Sequence, residues 1–281
     1  MEFATLIDAA VLAKHLDDPR FVIFDCRHDL AKPGWGSEEY AASHIPGARF
    51  AHLDKNLSGP KTGKNGRHPL PEPQSFARWL GDMGASNDSQ IIGYDSTGGT
   101  YAARLWWMVR WLGHQRVAVL DGGWDAWVRS GFSVTHEKPS PRSAAFHMQL
   151  RKDASVDANF IVRDLESQTY HVLDARANDR FHGKNETIDP IGGHIPGAAN
   201  RFFKENLDAQ SRFKPAAALK AEFEALLKGR APSHVVHQCG SGVTACHNAL
   251  AMEIAGLTGS KVYPGSWSEW IADPSRPIAT D

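Results

Sequence analysis

The feature that most constrains this chain is an internal repeat. The run Phe21–Val–Ile–Phe–Asp25–Cys–Arg27 is followed by His44–Ile–Pro–Gly–Ala48, and His171–Val–Leu–Asp174–Ala–Arg176 by His194–Ile–Pro–Gly–Ala198. Ile91–Ile–Gly–Tyr–Asp95–Ser–Thr–Gly–Gly–Thr100 stands in the first half where Val235–Val–His–Gln–Cys239–Gly–Ser–Gly–Val–Thr244 stands in the second. Asp121–Gly–Gly–Trp124–Asp–Ala–Trp127 then matches Pro264–Gly–Ser–Trp267–Ser–Glu–Trp270. The four markers keep their order at offsets of 143 to 150 residues, which chance does not produce. A length of 281 residues accommodates two domains of ordinary size.

Each copy alternates short β-branched runs with helical patterns. In the first, Asp8 reads as the cap of a helix through Leu16, Phe21 to Asp25 as a strand and Phe76 to Met83 as a helix. Gln90 to Asp95 is a strand, Thr100 to Leu112 a helix, Val117 to Leu120 a strand and Gly123 to Ser130 a helix. The second copy repeats this, with Pro215 to Lys228 its clearest helix and Lys261 to Tyr263 a late strand. Strands alternating with helices imply an α/β fold, two tandem domains each with a mostly parallel sheet flanked by helices. Lys138–Pro–Ser–Pro–Arg–Ser143 reads as a linker. The expected organisation is a first domain over 1–137, a linker over 138–150 and a second domain over 151–281.

The chemistry concentrates at Cys239. It stands at the carboxyl end of the apolar run Val235–Val236, where parallel sheets bind ligands. Two glycines (Gly240, Gly242) and two hydroxyls (Ser241, Thr244) follow, and a helical pattern from Ala245 stops at Gly256. Strand, glycine-rich turn and helix aim several backbone N–H groups at one point above a helix N-terminus. A cysteine at the mouth of such a nest has its thiolate stabilised by those donors and by the helix dipole. A buried structural cysteine is the plain alternative, since cysteine packs as a small hydrophobe. The glycines and hydroxyls favour the reactive thiol. The matching position in the first copy is Asp95, no thiol nucleophile, so one active site is expected, with the first copy as its lid or wall.

Hydrophobic and charged contents of 42% and 22% are those of a globular protein, and a net charge of −1 points to neither nucleic acid nor a membrane surface. No apolar run approaches the ~18 residues of a membrane span. Residues 1–10 contain Glu2 and Asp8 and lack the order of a signal peptide. Three scattered cysteines do not make a disulfide framework, which suits a reducing cytoplasm. Cys26 reads as a buried strand-end thiol and Cys246 as a packed helix thiol. The Asp–x–Arg pairs read as internal salt bridges, and His44 and His194 as packed turn histidines.

Two tandem units, each with Asp–x–Arg, His–Ile–Pro–Gly–Ala and Gly–x–Trp, and a loop cysteine only in the second, resemble the two-domain rhodanese-type sulfurtransferases. The loop Cys239–Gly–Ser–Gly–Val–Thr244 is similar to that of the 3-mercaptopyruvate sulfurtransferases, and the resemblance runs from about Leu6 to Pro277. It implies two rhodanese-like domains and an enzyme needing no cofactor or metal. Such an enzyme takes sulfur from 3-mercaptopyruvate onto Cys239 as a persulfide, releases pyruvate, and passes the sulfur to cyanide or a thiol. The implied thiol is thioredoxin or one of low molecular weight. Cys239 and Ser241 would be catalytic, Ser241 relaying a proton at the substrate sulfur or enolate. The N–H groups of Gly240, Ser241, Gly242, Val243 and Thr244 would hold the thiolate and then the anionic persulfide, and the Thr244 hydroxyl would also bond Cys239 and cap the helix. Arg180 matches the arginine that binds the mercaptopyruvate carboxylate; a surface loop arginine is the other reading. Tyr101 matches a first-domain aromatic facing the substrate, or else packs on Trp106 and Trp107.

Relatives that use thiosulfate typically carry Arg and Lys after the cysteine, where this chain has Gly240 and Ser241. A charge pair at ~4 Å is worth a few kcal/mol in a partly buried site, so the missing charges favour a monoanionic donor. The chain also departs from its relatives. Their second carboxylate-binding arginine has no equivalent between Lys184 and Gly193, leaving Lys184 and Arg201 as candidates to replace it. A Ser241–His44 triad is not expected, because no aspartate stands at the corresponding place upstream of His44. Lys61–Thr–Gly–Lys–Asn–Gly–Arg–His68–Pro–Leu–Pro71 reads as an ordered loop of the first domain, bordering a cleft. A phosphatase would need arginine at Ala245. The spacing of Cys239, Cys246 and His247 is unlike a metal site. The rivals that remain are a thiosulfate:cyanide sulfurtransferase and a non-catalytic persulfide carrier.

Overall fold

The structure, a computed structural model, describes residues 2–281, and the chain divides into two compact units. Unit 1 runs up to Gly59 and adds Leu70–Arg151 and Ala209–Phe213; unit 2 comprises Pro60–Pro69, Lys152–Asp208 and Lys214–Asp281.

Unit 1 holds five parallel strands: β1 (Leu6–Ile7), β2 (Phe21–Asp25), β3 (Arg49–Phe50), β4 (Gln90–Tyr94) and β5 (Val117–Leu120). Their order is β1-β5-β4-β2-β3. The central strand β4 is buried along its whole length, as its unbroken apolar run requires when both faces are covered. The helices differ from the sequence reading at their ends. The third begins at Pro73 because Glu72 accepts a hydrogen bond from the Gln74 N–H (2.7 Å) and proline suits the first helical position. The Asp8-capped segment is an α-helix only over Ala9–Leu12 and then tightens to a 3₁₀ turn through His15. Trp35–Ala42 forms a helix that the apolar pattern does not announce, since it buries only Gly36 and Tyr40. Residues 138–151 carry no regular element and are tied along unit 1, where Ala144 N–H bonds Gly81 C=O and Gln149 N–H bonds Leu112 C=O.

Unit 2 holds four parallel strands, β6 (His171–Asp174), β7 (Ala199–Asn200), β8 (Val235–Gln238) and β9 (Lys261–Val262), in the order β7-β6-β8-β9. Ser155 bridges Val262 in parallel, taking the place β1 holds in unit 1, so the sequence repeat is also a repeat of topology. A core of Ile161, Ile195, Val236, Tyr263, Trp267 and Trp270 lies on one side of this sheet.

The repeated motifs prove to be one brace built twice. Arg27 Nη2 donates to Asp25 (2.7 Å) and to Ser43 C=O (2.6 Å), and its guanidinium lies 4.3 Å from the Trp124 ring. Arg176 Nη2 donates to Asp174 (2.6 Å) and to Gly193 C=O (2.6 Å), 4.6 Å from the Trp267 ring. Each brace ties a strand end, the residue before the His–Ile–Pro–Gly turn and the Gly–x–Trp helix together, with both partners out of water. His44 and His194 sit in those turns. His44 bonds the carbonyls of Tyr40 and Glu137, and His194 bonds the carbonyl of Phe181 and stacks on its ring.

Candidate active site

Strand β8 lies between β6 and β9, and the sheet order reverses direction at the β6/β8 boundary, the place where open parallel sheets bind ligands. Cys239 is the next residue. Its backbone is fixed on both sides: its N–H donates to Ser266 Oγ (3.1 Å), its C=O accepts from Trp267 N–H, and Gly240 C=O accepts from Ser268 N–H. The loop then turns back at Gly242, where φ is +78° and a Cβ would stand 2.2 Å from the Pro264 carbonyl oxygen. Only glycine meets both demands.

That turn brings two amides onto the thiol. Gly242 N–H lies 3.1 Å and Ser241 N–H 3.4 Å from Cys239 Sγ, and the helix Thr244–Ile254 starts two residues later. Cys239 is only 2% exposed, yet its sulfur faces donors rather than apolar packing. The amides of Gly240, Val243 and Thr244 are not among the donors, so two of the five expected N–H groups hold the sulfur. Thr244 also differs from its expected role. Val243 is the N-cap and Thr244 already lies in the first helical turn, so the Thr244 hydroxyl neither caps the helix nor bonds Cys239 among the described residues. Cys246, one turn on, sends its thiol to Gly242 C=O (3.2 Å) and braces the loop from behind.

The first copy shows why it has no such centre. Asp95 fills its own nest, its carboxylate accepting the N–H groups of Thr97, Gly99, Tyr101 and Ala102 at 2.7–3.0 Å. Tyr101 caps the following helix, is 7% exposed and stands edge-on to His28 at 5.2 Å. Desolvation pushes its phenol well above the usual range, so the ring is neutral.

Sequence reasoning placed the loop at 61–71 in the first domain; the chain instead carries Pro60–Pro69 into unit 2. Gly66 fits against the Gly265 carbonyl, and Arg67 N–H donates to Ser268 Oγ (3.0 Å). His68 is thereby buried with its Nδ1 2.7 Å from Ser241 Oγ. The side chain of Arg67 reaches Asp189, which also accepts from Arg180 Nη2 (3.1 Å), while Arg180 Nε lies 2.9 Å from Glu186. Burial raises the Asp189 carboxyl above its usual range, with Arg67 pulling against it. Burial opposes ionisation of Glu186 too, but Arg180 and the Asp189 and Ile188 amides prevail and hold it low. Of the two residues considered as a second arginine, Lys184 is exposed, and Arg201 is committed to Glu222 and Asn206.

The group of metal-capable donors found among the described residues is His28, His52 and Asp54 of unit 1, within 4.8 Å of one another; it includes neither Cys239 nor Cys246. Among the described residues no helix is long and apolar enough to cross a membrane.

A thiol at a parallel-strand end, two amides on its sulfur and a hydroxyl–imidazole pair beside it make an arrangement suited to cysteine chemistry. The chain belongs to the rhodanese family: the rhodanese-like domain matches it twice, over residues 8–130 and 157–273. It is a sulfurtransferase of the two-domain rhodanese type. It is 45% identical over 282 residues to a probable 3-mercaptopyruvate sulfurtransferase of Pseudomonas aeruginosa, covering 100% of this chain and 99% of that one. It is 35% identical over 241 residues to the thiosulfate sulfurtransferase of Bos taurus, covering 83% and 79%. In structure it is similar to SseA from Escherichia coli, described as a 3-mercaptopyruvate sulfotransferase, with a TM-score of 0.81, 31% identity and coverage of 94% and 99%.

Proposed function

We propose that the protein transfers sulfur from 3-mercaptopyruvate, through a persulfide on Cys239, to a thiol acceptor. The observation that carries this reading is the pair of amides on Cys239 Sγ, both aimed at the atom that must meet the donor's sulfur. The thiolate attacks the donor sulfur, the carbon–sulfur bond breaks, and its electrons remain on the three-carbon fragment as the enolate of pyruvate. A proton taken up at carbon yields pyruvate, balanced by the proton lost as the persulfide ionises. An incoming thiolate then attacks the outer sulfur and returns Cys239 to its starting form.

Ser241 serves both halves of the step, its N–H toward Cys239 and its hydroxyl toward His68. Through that bond it can pass a proton to the departing enolate. Arg180 offers a planar guanidinium for the donor's carboxylate. Gly240, Gly242, Val243 and Thr244 shape the loop around the sulfur. Thioredoxin or a low-molecular-weight thiol suits an acceptor that must deliver a thiolate, and three free cysteines suit a reducing cytoplasm.

Steady-state pyruvate release from 3-mercaptopyruvate, set against thiocyanate formation from thiosulfate and cyanide, tests the donor. Pyruvate release should dominate, and Cys239→Ser should abolish it with the fold intact. Thiocyanate formation alone would replace this donor by thiosulfate, and a persulfide that forms without turnover would make the protein a carrier.

A further inference from the structure

The cation that the loop lacks at position 240 is restored in space from elsewhere in the chain. A Cβ built on Gly240 would lie 2.7 Å from Arg67 Nη2 and 3.6 Å from Arg180 Nη2. Two guanidinium edges therefore converge on the backbone of the residue that follows Cys239. One comes from the short helix Asn178–Phe181, the other from the segment Pro60–Pro69. Asp189, 1% exposed in its side chain, lies between them and accepts from both, fixing the two forks relative to each other. That carboxylate also demonstrates that the pair can address one carboxylate from two sides.

The geometry points to Arg67 as the second guanidinium of the donor's carboxylate site and a determinant of donor specificity, with Arg180 its partner and Gly240 glycine so that both can reach the spot. Arg67 Nη1 is engaged by Asp189, while Nη2 lies toward Gly240. Its side chain remains 30% exposed. Asp189 and Glu186 balance Arg67 and Arg180 in charge, so the site offers directed N–H donors rather than a positive field. A planar monoanion such as a carboxylate gains from paired N–H forks at short range, and a tetrahedral dianion has no surplus charge to meet. Asp189 is a positioning residue in this arrangement. It fixes the forks and does not itself touch the donor.

The proposal rests on the mercaptopyruvate reading for its natural ligand, but its test does not. Cys239 is alkylated with iodoacetate, which carries a carboxylate, and with iodoacetamide, which is neutral, in the wild-type protein and in Arg67→Ala. Losing a charge-assisted hydrogen bond should slow iodoacetate by about tenfold to a hundredfold and iodoacetamide by less than about twofold. Arg67→Lys, which keeps the charge and loses the fork, should fall between. In turnover, Arg67→Ala should raise KM for 3-mercaptopyruvate by a similar factor with kcat little changed, and should leave the neutral analogue mercaptoacetone unaffected. Equal slowing of both alkylating agents would reduce Arg67 to a prop for the loop and overturn the proposal, as would no effect on either. If Arg67→Ala does not fold, the reagent ratio in Arg67→Lys decides alone. Iodoacetate selectivity that depends on Arg67, in a protein that never releases pyruvate, would leave the carboxylate site standing and remove the donor assignment instead.

Discussion

His68 Nδ1 lies 2.7 Å from Ser241 Oγ, a contact between residues 173 positions apart in the chain. Both groups are buried, so the bond is shielded from water and holds the serine hydroxyl in one orientation. If this pair delivers a proton to the enolate, His68→Ala and Ser241→Ala should each lower kcat by about 10²- to 10⁴-fold. The double variant should fall little further, because the two groups act as a unit. Alkylation of Cys239 by iodoacetamide should stay near the wild-type rate in the His68 variant, since the amides on the sulfur remain. A kcat unchanged in His68→Ala would take the histidine out of the proton path.

Gly240 and Gly242 flank Ser241 but answer to different constraints. At Gly242 a methyl group would meet the Pro264 backbone oxygen at 2.2 Å, on a residue whose φ is +78°. Gly242→Ala should therefore cost about 2–4 kcal/mol or displace the loop, and displacement removes an amide from the sulfur. Turnover should drop by about 10²-fold or more. At Gly240 the obstacle is the end of the Arg67 side chain, which can swing away. Gly240→Ala should unfold within about 1 kcal/mol of the wild type while weakening donor binding. Urea denaturation and steady-state kinetics on the two variants would separate these effects, and equal loss of stability in both would contradict the distinction.

The two-domain α/β fold was legible because its signals are local and written twice. Asp25 with Arg27, and Asp174 with Arg176, are two residues apart, and each pair closes the same brace in its own unit. The nest at Cys239 was legible for the same reason, since strand, glycines and helix are contiguous. Arg67 and His68 were not, because their partners Asp189 and Ser241 lie 122 and 173 residues away and only folding joins them. One signal was present. The repeat offset is 150 at His44 and His194 but 144 at Asp95 and Cys239, so the first copy carries six extra residues between those markers. Those residues fall where Pro60–Pro69 leaves unit 1. The insertion, rich in Arg, Lys and His, belongs to unit 2 and packs there on the loop that follows Cys239.

Ser266 pairs a strained backbone with a useful hydroxyl. Its φ is +54°, where a non-glycine residue is held at a cost of about 1–3 kcal/mol. Its Oγ accepts from Cys239 N–H (3.1 Å) and donates to Tyr263 C=O (2.9 Å). The equivalent residue in the first copy is Gly123, which adopts φ +55° freely. Ser266→Ala keeps the strain and loses both bonds, whereas Ser266→Gly loses the bonds and relieves the strain. Ser266→Gly should therefore be the more stable of the two by about 1 kcal/mol, with both slower than wild type in turnover because Cys239 is less firmly held. Denaturation midpoints at constant m-value check the order; alanine equal to glycine would mean the backbone stores no strain there.

His237 of β8, in register with Leu173 of β6 and two residues before Cys239, is fully buried with neither ring nitrogen hydrogen-bonded. Desolvation pulls its pKa down to about 3, against an unfolded value near 6.5, so the folded protein keeps it neutral where the unfolded chain takes up a proton. Above about pH 7 both states are neutral and His237 contributes no pH dependence. Below the unfolded value the unfolded state binds the extra proton, and stability should fall by about 1.4 kcal/mol per pH unit until the folded pKa is approached. His237→Leu, which keeps the volume and removes the titration, should lose this component. The difference in unfolding free energy between wild type and variant should be flat from pH 8 to 7 and then shift steadily in the variant's favour toward pH 5. Carboxylates common to both proteins cancel in that difference. Parallel pH profiles throughout would mean that the imidazole finds a way to carry its proton inside the sheet, and that β8 is less dry next to Cys239 than its packing implies.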